Sequence, residues 1–131
     1  MGEPGKRVLH IGLGGPINNE QVTAGMTEEL IRNKVMEGID NAHKAGHHVQ
    51  PTFFQPENFL EKLGEVKKEL ETGKWDALLV GGGMRFTPSL TPQFEQLINT
   101  ARVASPGTRM LFQAAPNDVA DTIKRGFEGD S

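Results

Sequence analysis

The chain has no cysteine and no tyrosine among its 131 residues, and one tryptophan. Without cysteine there are no disulfides, no thiolate–zinc sites and no thiol nucleophile. Without tyrosine there is no phenolic acid–base chemistry. Charge of one sign is also scarce: 14 basic against 17 acidic side chains leave a net charge of −3, so there is no basic field for nucleic acid. No apolar run approaches the ~18 residues of a membrane span, and no signal-peptide pattern precedes the first strand-like run. A cytoplasmic protein with no membrane partner is the expectation.

Glycine is the excess. There are 16 glycines, about 12% of the chain against a usual ~7%. The length suits a single domain over residues 1–131, with 1–5 and 128–131 expected to fray.

Four strand-like runs alternate with four helix-like runs. Arg7–Gly12 is short, apolar and stopped by glycine, as a buried parallel strand would be. Thr27 then precedes Glu28 and Glu29, an N-cap with acids in the first turn. Leu30, Ile31, Val35, Ile39 and Ala42 recur at helical spacing up to Gly46. His48–Phe54 is the second strand; Pro51 within it cannot donate to a ladder, which predicts a sheet edge. Phe59, Leu60, Leu63, Val66 and Leu70 mark the second helix, closed by Gly73. Trp75–Val80 reads as a central strand cut off by Gly81-Gly82-Gly83. Thr91-Pro92 reads as an N-cap with proline in the first turn, ahead of Phe94, Leu97, Ile98 and Ala101. Arg109–Phe112 is the fourth strand, and Asn117-Asp118 opens a last helix carrying Val119, Ile123 and Phe127.

Strict alternation of this kind predicts a three-layer α/β fold with a parallel sheet and helices on both faces. The order 2-1-3-4 puts the proline-bearing strand at an edge, giving a shortened flavodoxin-like, Rossmann-like fold. Strand four then leaves the other edge open, which suggests a homodimer meeting near it.

The unusual backbone collects after the strands: Gly12, Gly14, Gly15 and Pro16 after the first, Gly81, Gly82, Gly83 and Pro88 after the third. In open parallel sheets ligands bind at the carboxyl ends of the strands, where the strand order reverses. Strands one and three flank that point, so a ligand site is expected between the loops 13–26 and 81–91.

Known site patterns mostly fail. Gly12-Leu13-Gly14-Gly15-Pro16-Ile17 starts like a dinucleotide fingerprint, but Ile17 replaces the third glycine and the helix begins too late. A Walker-type Gly-Lys-Ser/Thr ending is absent. The first loop has no hydroxyls from Leu13 to Asn19 for a flavin phosphate, and no Gly-x-Ser-x-Gly elbow is present. Gly15-Pro16-Ile17-Asn18-Asn19 resembles the first loop of type II dehydroquinases. That family uses a catalytic tyrosine in the following loop, and this chain has none. No cofactor is expected. His43, His47 and His48 cluster in sequence, but Gly46 breaks the helix between them and they fall at the amino end of strand two, so no metal site is expected.

What remains is a compact anionic metabolite as partner. Arg85 supplies a planar cation and the Gly81, Gly82 and Gly83 amides allow close approach; Thr87 follows. Gly14, Gly15, Asn18 and Asn19 face them from the first loop, while Gln113 and Asn117 reach in after strand four. His10 and Glu20 are the acid–base candidates for an isomerase, lyase or hydrolase. Each has a structural alternative: a core histidine held by one hydrogen bond for His10, a polar turn for residues 18–20, a helix cap for Asn117, a surface ion pair for Arg85. Two competing functions stay open: a non-catalytic ligand-binding or protein-interaction module, and nucleotide binding through the first glycine loop.

Overall fold

The structure, a computed structural model, describes residues 5–13, 28–115 and 117–128, with residues 28, 29 and 31 described by backbone only. In chain order they form β1 (Arg7–Leu13), α1 (Glu28–Lys44), β2 (His48–Phe54), a 3-10 turn (Pro56–Asn58) and α2 (Phe59–Thr72). There follow β3 (Ala77–Val80), the one-turn helix α3 (Gly82–Arg85), a second 3-10 turn (Pro88–Leu90), α4 (Thr91–Ala104), β4 (Arg109–Phe112) and α5 (Val119–Phe127). All strands are parallel, in the order β2-β1-β3-β4. This is an α/β flavodoxin-like fold with helices packed on both faces of the sheet.

Alternation along the strands makes the two cores. Leu9 and Ile11 of β1 with Leu78 and Val80 of β3 meet Phe59, Leu63, Val66 and Leu70 of α2 and Leu97 and Ala101 of α4. Val8, Leu79 and Leu111 point the other way, onto Ile39 and Ala42 of α1 and Val119 and Ile123 of α5. Each buried Val, Leu, Ile or Phe among these contributes roughly 1.5–3 kcal/mol through removal from water. His10 shares the face of Val8, two residues nearer the carboxyl edge.

Pro51 lies on the edge strand, as its missing N–H requires. The His48 amide donates to Lys6 O, so residues 48, 50, 52 and 54 face β1 and residues 49, 51 and 53 direct their backbone groups outward. The outward carbonyl of Val49 accepts a hydrogen bond from His43 Nε2 of α1 at 3.1 Å. On the far edge, Arg109 and Gln113 donate to Asp76 and Val80, which turns the Phe112 carbonyl outward. Arg125 Nη2 of α5 donates to it at 2.7 Å. A side chain from a flanking helix therefore occupies a backbone acceptor on each edge.

Two sequence-based boundaries shift. Trp75 and Asp76 precede β3 rather than opening it. Trp75 Nε1 donates to Glu69 O at 3.0 Å, and Asp76 Oδ2 accepts from the Arg7 amide at 2.8 Å. Thr91 is the first residue of α4 and not its cap; its hydroxyl donates to Pro88 O at 2.8 Å. The expected Thr27 cap lies outside the described residues. Among the described residues no helix is long and apolar enough to cross a membrane.

Candidate functional site

At the carboxyl edge of the sheet, Gly12 of β1, Gly81 after β3 and Gln113 after β4 lie side by side. The Gly81 amide donates to Ile11 O and the Gln113 amide to Val80 O, extending the ladder by one row. Gly81 is extended, with φ −72° and ψ 159°, and the only left-handed glycine among the described residues is Gly46. At Gly12 the missing side chain is what the packing requires. A β-carbon on Gly12 would stand 3.0 Å from both His10 Cε1 and Phe53 Cε1, and one on Gly81 3.5 Å from Gln113 Oε1.

The Gln113 side chain reaches His10 over this row, where a β-carbon on Gly81 would make only ordinary contact. His10 Nε2 lies 3.0 Å from Gln113 Oε1. The amide orientation follows from its other end, where Nε2 donates to Ala115 O at 3.1 Å and to Asp118 Oδ1 at 3.2 Å. Gln113 Oε1 is then the acceptor, and His10 carries its proton on Nε2. Asp118 Oδ2 accepts the amides of Ala114 and Ala115 at 3.0 and 3.1 Å, fixing the turn that aims Gln113. His10 is fully buried. Burial lowers its pKa from 6.5 to about 4, against a smaller upward pull from Gln113, so it is neutral at pH 7. Its Nδ1 has no hydrogen-bond partner among the described residues. This is the arrangement of a core histidine held through one bond. Glu20, its expected acid–base partner, lies outside the described residues, as do Gly14, Gly15, Asn18 and Asn19.

The segment after β3 is more ordered than a glycine-rich loop predicts. Gly82–Arg85 forms a helical turn anchored by the buried Met84, and Phe86 N donates to Gly82 O at 2.8 Å. The Phe86 ring folds back over Gly82, where a β-carbon would stand 3.1 Å from it. Thr87 is buried, and its hydroxyl donates to Gly83 O at 2.5 Å; it secures the turn and offers no donor to a ligand. The Gly81 amide is likewise taken by the sheet.

Arg85 is half-buried. Its guanidinium carbon lies 4.3 Å from the centre of the Phe86 ring and 5.6 Å from that of Phe112. Phe112 is itself held edge-on by Phe94 of α4, with ring centres 5.9 Å apart. Arg85 thus sits on the β4 side of β3 rather than facing β1 across the strand-order reversal. It is not in an ion pair with any described residue, and it makes no hydrogen bond to one. A guanidinium held over aromatic rings keeps its N–H donors available.

Gln113 departs from its expected role. Both ends of the Gln113 amide are engaged within the protein, so it orients His10 and not a ligand. Asn117 is exposed, its backbone packed against Gly38 of α1, and the residue at the start of α5 is Asp118. The histidine cluster is dispersed among separate contacts. His43 caps Val49 O, His47 Nδ1 accepts the Lys6 amide at 3.0 Å, and His48 stacks on Trp75 with ring centres 6.2 Å apart. Among the described residues no three metal-ligating side chains converge.

Sequence reasoning missed Asp118, Phe86 and Phe112. Strand alternation could have put Phe112 on the face opposite Gln113, and Phe86 directly follows the arginine it stacks on. No family model matches this chain, and no curated protein or solved structure is detectably similar to it.

Proposed function

We propose that this protein binds a compact anionic metabolite at the carboxyl edge of β3 and β4, with Arg85 as the cation that holds it. One observation carries this reading: a half-buried guanidinium is held against two phenyl rings while no described acid or carbonyl takes up its donors. Holding the side chain by stacking lowers the rotamer entropy lost when an anion arrives, and a carboxylate can be taken in bidentate fashion. The reading is of binding without catalysis, because His10 has no exposed atom.

A thermal-shift comparison of wild type and Arg85→Ala against a panel of small carboxylates and phosphates tests it. Ligand at ~100 times its Kd stabilises the folded state by about 2.7 kcal/mol, a shift of several degrees. An anion that raises the melting temperature of wild type alone is the expected result. Equal shifts in both proteins remove Arg85 from the site.

A further inference from the structure

The β2 edge of the sheet is chemically distinct from the Arg85 site and independent of it. His43 closes only the Val49 carbonyl there. Further along the strand the outward groups Pro51 O, Phe53 N–H and Phe53 O have no partner among the described residues. Beside this open stretch, on the α2 face, lies a cleft of about 280 Å³ between Gln50 and Thr52 of the strand and Lys62, Glu65, Val66 and Glu69 of α2. Lys62 Nζ is held 3.4 Å from Glu65 Oε2, while Glu69, one helical turn on, is in no ion pair with a described residue. The cleft therefore keeps a net negative charge. On the opposite, α1 face the strand presents exposed Pro51 and half-buried Phe53. One side of the open stretch is thus polar and acidic, the other apolar. A strand added to an edge takes its alternation from the strand it joins. Whichever way it runs, its residue opposite Thr52 sends a side chain over the cleft, and the two flanking residues send theirs over Pro51 and Phe53.

We infer that the β2 edge takes up an extended peptide of a partner protein, a basic residue between two apolar ones, with the basic side chain in the cleft beside Glu69. Main-chain bonds to Pro51 and Phe53 hold the peptide, and the donor that proline lacks costs it one bond. A whole edge strand of a second copy would meet His43 at Val49; a three-residue stretch does not. The test is an amide NMR titration of the full chain with a terminally blocked pentapeptide, valine–lysine–valine between two threonines. In companion peptides norleucine or glutamate replaces the lysine, or methyl groups cap the three central backbone nitrogens. The lysine peptide is expected to shift the Gln50, Thr52 and Phe53 amides. It should bind roughly two- to fivefold more tightly than the norleucine peptide, the range of an exposed ion pair, and the glutamate peptide should bind weakest. The methylated peptide is expected not to bind. Glu69→Gln is expected to remove the preference for lysine while the norleucine peptide still binds, and Arg85→Ala to change neither. If methylation leaves binding intact, or no peptide binds, strand addition is overturned. If lysine and norleucine peptides bind equally, or Glu69→Gln keeps the preference, the basic residue is overturned. Blocked lysine alone, giving the same shifts at the same affinity, would make the cleft a site for a small amine and overturn the peptide.

Discussion

His10 lies on β1 and Gln113 directly follows β4, strands that are not neighbours, yet His10 Nε2 and Gln113 Oε1 lie 3.0 Å apart. The bond ties the centre of the sheet to the turn that starts α5. Asp118 completes the tie by holding the other end of the Gln113 amide at 3.2 Å.

Replacing Gln113 with leucine, of similar volume, leaves the His10 N–H buried without an acceptor. The expected cost is about 1–3 kcal/mol, since the unsatisfied donor loses its water without recompense. The double variant His10→Leu/Gln113→Leu replaces both partners with apolar groups and is expected to lose less than the sum of the single changes. Urea unfolding of the four proteins measures the coupling; additive losses would show that the bond contributes nothing beyond packing.

The same histidine makes stability depend on pH. Unfolded, its imidazole titrates near 6.5; folded, burial holds it at about 4. Between these values the unfolded chain carries the extra proton, so stability rises with pH through that window. The contribution is fully present above about pH 6.5 and is lost as pH falls towards 4, amounting to ~3 kcal/mol for a shift of this order. His47, lowered by partial burial and then by Lys6, adds a contribution of the same sign. Unfolding free energies of wild type and His10→Leu measured from pH 5 to 7 check this. The variant should show the shallower slope; parallel curves would mean that His10 is not protected from protonation.

The sequence was most legible where one residue type has one physical use. Pro51 marked β2 as an edge because proline lacks the donor an inner strand needs, and the alternation of short apolar runs with helical periodicity was enough to order the sheet. The candidate site was less legible, for two reasons. Glycine has two uses, conformational freedom and absence of bulk, and composition cannot separate them. Gly12 and Gly82 use the second, making room for the His10 and Phe53 rings and for the Phe86 ring. The other reason is that the Gln113 and Arg85 contacts depend on which strands and faces come together. Gln113 meets a histidine 103 positions away, and only the order β1-β3-β4 brings them into reach.

Edge protection gives a third prediction. His43 and Arg125 occupy the outward carbonyls of Val49 and Phe112, so two copies pairing along either edge would first have to displace a side chain. Sedimentation velocity over a range of concentrations should show stronger self-association for His43→Ala/Arg125→Gln than for wild type. A homodimer formed by β4 pairing would behave differently: wild type would already associate, and Arg125→Gln would tighten it. If variant and wild type sediment alike, the two side chains are not what keeps the edges apart.

The helical glycines give opposite predictions for one and the same substitution. Gly64 lies within α2, and a β-carbon there would meet no atom within 4 Å. Gly64→Ala is expected to stabilise the protein by roughly 0.5–1 kcal/mol, because alanine loses less backbone entropy on entering a helix. Gly38 lies within α1 against the turn before α5, where a β-carbon would stand 3.0 Å from the Asn117 Cα and carbonyl carbon. Those are backbone atoms, in the turn that Asp118 holds in place. Overpacking of this kind costs about 1–3 kcal/mol, more than the gain of up to ~1 kcal/mol in helix propensity returns. Gly38→Ala should therefore lower the urea midpoint while Gly64→Ala raises it, both with unchanged denaturant slope. A rise for Gly38→Ala would mean that the 117–118 turn yields to α1, and then the network from Asp118 through Gln113 to His10 should loosen as well, visible as faster amide exchange at Ala114 and Ala115.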